Sequence, residues 1–126
     1  MVGGGKRILI VEDELQIRQI VKLTLQLENF EVMEAPNGQA ALELIRVQKP
    51  DLIITDIMMP EMDGIEFFLN LKENDQLSGI PVIVLTVKSQ FEDIKYASIL
   101  GMDEYVTKPF DPRDLIKRIK EKLKME

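Results

Sequence analysis

The chain has no cysteine, no histidine and no tryptophan among its 126 residues. Without cysteine it has no disulfides, no thiolate nucleophile and none of the usual zinc sites. Together with the missing signal-peptide pattern, this fits a cytoplasmic protein. Without imidazole there is no Ser-His triad and no internal phosphohistidine, so any acid–base or phosphoryl chemistry must run on carboxylates, Lys, Tyr or Thr. No apolar run approaches the length of a spanning helix, so no membrane association is expected. Positive charge is also scarce: 16 Lys and Arg stand against 22 Asp and Glu, a net charge of −6. That balance disfavours direct nucleic-acid binding, which depends on cations neutralising phosphates.

Apolar residues make up 45% and charged residues 30%, the balance of a folded domain rather than a disordered chain. The length suits one domain with one core and leaves no room for a second. Short β-rich runs alternate with amphipathic segments, a pattern that argues for a parallel sheet covered by helices on both faces. Five such units are expected. Strands are predicted at Arg7 to Val11, Glu31 to Ala35, Asp51 to Thr55, Pro81 to Leu85 and Glu104 to Thr107. The first helix, about Leu15 to Leu27, carries a predicted buried face of Ile17, Ile20, Val21, Thr24 and Leu27. Ala40, Ala41, Leu44 and Ile45 mark the second helix, and Ile65, Phe68 and Leu69 the third. A fourth is expected from about Gln90 to Leu100. The last starts at Pro112, which suits a first helical turn, and buries Leu115, Ile116, Ile119 and Leu123. Gly3 to Gly5 precede the first strand instead of following one, so they read as a flexible tail and not a phosphate loop.

Four of these apolar stretches end in residues suited to phosphate or metal chemistry: Glu12 and Asp13, Asp56, Thr86, and Lys108. In an open parallel sheet such ends converge on the ligand-binding edge. Each residue alone has an ordinary explanation: helix-start acids, a turn former, a helix cap, a surface charge. Placed together, three carboxylates repel unless a cation lies among them, and oxygen-only ligands suit Mg²⁺. Thr86 and Lys108 would donate to and neutralise phosphoryl oxygens, leaving Asp56 as the candidate nucleophile.

The matching segments are Ile8-Leu-Ile-Val-Glu12-Asp13-Glu14, Asp51-Leu-Ile-Ile-Thr-Asp56-Ile-Met-Met-Pro60 with Met62-Asp63-Gly64, Pro81-Val-Ile-Val-Leu-Thr86, and Tyr105-Val-Thr-Lys108-Pro109-Phe110. With these segments the chain resembles the chemotaxis-regulator-like receiver domains of two-component response regulators, over about Lys6 to Lys124. The expected division is a tail at 1–6 and a receiver domain at 7–124. The resemblance implies an α/β, flavodoxin-like (βα)5 doubly wound sandwich with a parallel five-stranded sheet of order 2-1-3-4-5. It implies that Asp56 accepts phosphate from a histidine kinase or histidine phosphotransfer protein. Asp13, Asp56 and the Met58 carbonyl would ligate Mg²⁺, with Glu12 acting through water, and the Lys108–Pro109 peptide would be cis.

Thr86 and Tyr105 would form the switch, altering the surface of the Gln90-to-Leu100 helix, the fifth strand and the last helix, Lys95 and Tyr96 included. That surface would meet a downstream output protein or domain. Such a module is not an enzyme beyond its own phosphorylation and dephosphorylation. One departure is Val87, where receivers usually carry Ala or Gly; its bulk is expected to slow phosphorylation or water attack. Lys88, at the same mouth, and Met58 are candidate tuners of hydrolysis. Other readings are a degenerate receiver acting as a constitutive interaction module, a Mg²⁺-dependent phosphatase with an Asp nucleophile, and a flavin protein. The phosphatase would need an Asp-x-Asp pair where Glu12-Asp13-Glu14 stands, and the flavin protein a phosphate loop that is absent.

Overall fold

The computed structural model describes residues 5–57, 62–86, 95, 98–102 and 104–125. Met58, Val87, Lys88, Tyr96 and the first four residues of the tail lie outside the described residues, as does most of the helix expected at Gln90 to Leu100. Within that helix Lys95, Ser98 and Ile99 are helical.

Five short strands build the sheet: β1 (Arg7–Val11), β2 (Glu31–Ala35), β3 (Leu52–Asp56), β4 (Val82–Thr86) and β5 (Tyr105–Thr107). All pair in parallel, in the order β2-β1-β3-β4-β5. Among the described residues the helices with full bounds are α1 (Leu15–Leu27), α2 (Gly38–Val47), α3 (Gly64–Lys72) and α4 (Pro112–Lys122). β1 and β3 are almost wholly buried because helices cover both sides of the sheet, which is why they read as unbroken apolar runs.

Alternation sorts the two cores. Ile8 and Ile10 of β1, Leu52 and Ile54 of β3 and Val106 of β5 pack against Val21 and Leu25 of α1 and Leu115 and Ile119 of α4. Leu9, Val11 and Ile53 face the other way, toward Ala41 and Ile45 of α2 and Phe67 and Leu71 of α3. The register pairs Ile8 with Leu52 and Ile10 with Ile54, so residues in register share a face.

Three helix starts follow local chemistry. Asn37 accepts from the Ala40 N–H at 2.8 Å, Asp63 from Glu66 at 2.9 Å and Asp111 from Arg113 at 2.9 Å, each satisfying a donor that has no helical partner. Pro112 occupies the first turn of α4 as expected.

The apolar stripes need correction in two helices. On α1, Ile20 and Leu27 are exposed and Leu25, not anticipated, is buried with Val21. The helix has more apolar residues than core-facing positions, so a stripe drawn through all of them drifts off the core. On α3, Leu69 is exposed while Phe67 and Leu71 fill the interior beside Phe68. β3 and β4 each run one residue later than predicted, because Asp56 pairs with Leu85 and Thr86 with Thr107 as part of the ladder. β5 begins one residue later, at Tyr105.

Among the described glycines, Gly64 leaves the least room for a side chain. A Cβ built there runs into the Asp56 carbonyl oxygen and comes within 2.9 Å of the Ile57 Cα. The Gly64 N–H donates to the Ile57 carbonyl at 2.7 Å, so α3 is anchored directly to the end of β3. Gly64→Ala should lower unfolding free energy by about 3 kcal/mol, as forced overpacking does. Gly79→Ala, with nothing within 4 Å of its added Cβ, should change it by less than about 0.5 kcal/mol. Urea denaturation of both variants checks the pair.

Candidate functional site

Parallel pairing brings the carboxyl ends of β1, β3, β4 and β5 to one edge, and the chain reverses its direction of growth between β1 and β3. A ligand-binding crevice forms at such a switch point. Glu12 and Asp13 follow β1 directly, Asp56 and Thr86 are the last residues of β3 and β4, and Lys108 follows β5. All five therefore meet, as the strand-end pattern predicts.

Lys108 organises them. Its Nζ donates to Asp56 Oδ2 at 2.8 Å and stands 2.7 Å from Glu12 Oε1. The Lys108 side chain is only 13% exposed, so it is no surface charge. Its backbone N–H donates to the Thr86 carbonyl at 2.7 Å, which continues the β4–β5 pairing into the site. The Lys108–Pro109 peptide is cis, as expected.

Glu12 is fully buried, and Glu12 Oε2 accepts from the Glu14 N–H at 3.3 Å. Lys108 Nζ approaches Oε1 as a short ion pair at 2.7 Å. Burial pushes the Glu12 carboxyl up to about 7; the Asp56 charge adds to the rise and Lys108 opposes it. For Lys108, burial acts to lower the pKa, but hydrogen bonding and charge from Asp56 and Glu12 outweigh it and raise the ammonium above its ordinary range.

Oxygens of Glu12, Asp13 and Asp56 lie within 4.8 Å of one another. Three carboxylates served by one ammonium leave surplus negative charge, and an all-oxygen set of this size fits a hard divalent cation such as Mg²⁺. At the start of α1, Glu12 Oε2 accepts the Glu14 N–H while Lys108 holds the other oxygen. α1 begins at Leu15 behind Glu14, whose side chain makes no capping bond.

Thr86 is buried at the mouth of β4. Tyr105 is half-buried in β5, paired in register with Val84 and packed beside Ile57, Phe68 and Met102. Its hydroxyl donates to the Met102 carbonyl and lies 3.0 Å from Ser98 Oγ. Since residues two apart on a strand share a face, Thr86 and Tyr105 lie on one side of the sheet.

Sequence reasoning missed three supports. The buried Thr55 hydroxyl donates to the Asp56 carbonyl at 3.0 Å. Gly64 admits α3 against that same carbonyl. The third is Arg18, whose Nη1 donates to the Glu12 carbonyl at 2.8 Å. An Arg at that place in a surface helix carries no signal in a single sequence.

The family model for the response regulator receiver domain matches residues 8–120. The chain belongs to the response-regulator receiver family of two-component systems, and Glu12, Asp13 and Asp56 form an acidic cluster in it. It is 44% identical over 117 residues to the phosphate regulon transcriptional regulatory protein PhoB of Pseudomonas aeruginosa, covering 92% of this chain and 51% of that protein. It is 42% identical over 116 residues to the transcriptional regulatory protein SrrA of Staphylococcus aureus, covering 92% and 47%. Among solved structures, the signal receiver domain of a signal transduction histidine kinase from Syntrophus aciditrophicus matches with a TM-score of 0.89 and 35% identity, covering 95% of this chain and 91% of that one. The chain spans about half the length of the curated relatives it matches. No helix among the described residues is long and apolar enough to cross a membrane.

Removing the ammonium while the buried carboxylates remain should be costly. In EDTA, Lys108→Met should lose about 3 kcal/mol of unfolding free energy, the scale of breaking a buried ion pair from one side. Asp13→Asn, which relieves repulsion, should raise the thermal midpoint in EDTA and abolish the further rise expected of the wild type in Mg²⁺. At a hundredfold excess over Kd that rise corresponds to about 2.7 kcal/mol. Calorimetry with and without Mg²⁺ checks both.

Proposed function

We propose that this chain is a phosphoacceptor signalling module that takes a phosphoryl group on Asp56 from the phosphohistidine of a partner kinase or phosphotransfer protein. The observation that carries the reading is Asp56 itself: a nearly buried carboxylate at the central strand end, 2.8 Å from Lys108 Nζ and within reach of two further acids.

In this reading Asp13, Asp56 and the Met58 carbonyl would hold Mg²⁺ directly, and Glu12 would act through water. When bound, the ion would supply charge neutralisation for the phosphoryl oxygens. As the phosphorus–nitrogen bond of the donor breaks, its electron pair returns to the imidazole, and a bond forms from phosphorus to an Asp56 oxygen. Lys108, already paired with that carboxylate, remains to neutralise the developing charge, and the Thr86 hydroxyl donates to a phosphoryl oxygen. Water attack on the acyl phosphate reverses the state. The module's catalysis is limited to these two steps.

Thr86 then reports the phosphate to Tyr105. Movement of Thr86 toward the phosphoryl group leaves room on its side of the sheet, and the Tyr105 ring can leave Met102 and Ser98 to fill it. Such a two-state element, biased by new charge, would change the surface around Lys95, β5 and α4 that an output partner reads.

The exposed face of α1 supports a helical partner at the donor side. Ile20, Leu23 and Leu27 are all more than half exposed, and with Gln16 they form a stripe at the four-three-four spacing of helix-on-helix packing. A shallow groove of about 360 Å³ lies along Gln16, Gln19, Ile20 and Leu23. The helix begins two residues after Asp13, so a donor helix seated there brings its histidine to the acid edge.

Incubation with Mg²⁺ and phosphoramidate should label the wild type once, on Asp56, by intact mass and peptide mapping; Asp56→Asn should remain unlabelled. Failure of the wild type to label would favour a constitutive interaction module, and multiple turnovers of a phosphomonoester would favour a phosphatase. Leu23→Asp should slow transfer from the cognate kinase by about tenfold or more, the cost of a central interface residue, while leaving labelling by phosphoramidate unchanged.

A further inference from the structure

Asp13 is exposed, and the fold constrains it through the backbone that carries it. That backbone is held at two points. The Glu12 N–H donates to the Ala35 carbonyl at 3.0 Å, extending the β1–β2 ladder by one bond. The Glu12 carbonyl, half of the peptide that leads into Asp13, accepts from Arg18 Nη1 at 2.8 Å. Arg18 is itself fixed. Its Nε donates to Glu34 Oε1 at 3.1 Å, Glu34 Oε2 accepts from Lys22 Nζ at 2.7 Å, and the Arg18 side chain is 17% exposed. The planar guanidinium thus spans β2 and the turn after β1 with two donors of fixed relative direction, which an ammonium cannot do.

We propose that Arg18, held by Glu34, is a positioning residue for the metal-binding acids. It fixes the Glu12–Asp13 peptide, and through it the place of the Asp13 carboxylate relative to Asp56. The inference rests on the reading of Glu12, Asp13 and Asp56 as a Mg²⁺ site. Groups that orient ligands without touching the metal commonly account for tenfold or more in affinity.

Charge and geometry predict opposite signs here. As a bare cation near the acids Arg18 repels Mg²⁺, so its removal would tighten binding. As a clamp its removal frees the peptide and weakens binding. Arg18→Met, which keeps the aliphatic stem on α1, should raise the Mg²⁺ Kd about tenfold by titration calorimetry. In the metal-free variant, amide exchange at Asp13 and Glu14 should accelerate while that of β3 stays as in the wild type. Glu34→Gln, which keeps the Arg18–carbonyl bond but loosens its anchor, should weaken binding less. The double variant should bind no more weakly than Arg18→Met, because Glu34 acts through Arg18.

Binding by Arg18→Met as tight as the wild type, or tighter, overturns the clamp and leaves the metal site intact. So does exchange that rises uniformly along the chain, the mark of lost stability alone. Absence of Mg²⁺ binding by the wild type overturns the reading of the acids, and the clamp's part in it.

Discussion

The buried contact of Lys108 with Asp56 and Glu12 is the constraint on which the site depends. Two carboxylates at the low-dielectric end of a sheet cannot both carry charge without a cation between them. Lys108 supplies one charge at 2.8 and 2.7 Å. The ammonium arrives only because β5 lies beside β4 and β4 beside β3, and the Lys108 N–H bond to the Thr86 carbonyl holds it in line. With Asp13 added, the site keeps more negative charge than one lysine neutralises. That surplus suits a divalent cation at the same edge.

Packing beneath this edge is correspondingly tight. Asp56 ends a strand that is buried along its whole length, its carbonyl accepts the Thr55 hydroxyl, and α3 begins against it with a residue that has no side chain. On the other flank the turn after β1 is held by β2 through Ala35 and by α1 through Arg18. The polar residues therefore stand on strand ends and short, tied turns. Such supports hold a catalytic geometry more closely than long loops do.

Much of this was legible in the chain itself. Apolar runs such as Ile8 to Val11 and Leu52 to Ile54 announce buried parallel strands, because both faces are covered and alternation is lost. Pro112 marks the start of the last helix by chemistry local to a few residues. Glu12, Asp13, Asp56, Thr86 and Lys108 stand out because each follows or ends such a run, and parallel topology sends all those ends to one edge. Boundaries were less legible. Whether Asp56 and Thr86 belong to strands or to the following turns depends on ladder partners Leu85 and Thr107, which lie far away in sequence. On α1 the surplus of apolar residues hid which stripe faces the sheet, and Ile20 and Leu27 turned outward.

Local sequence thus determined the alternation of elements, the helix caps, the composition of the reactive edge and, by the order of its motifs, the family. These follow from interactions within a few residues or from residue chemistry alone. Only the tertiary structure decided that Lys108 pairs with Glu12 as well as Asp56, that Gly64 is required by the Asp56 carbonyl, and that Arg18 and Glu34 brace the acid turn. Each of those contacts joins residues on different elements. Their distances are set by sheet register and helix placement, which periodicity along the chain does not encode.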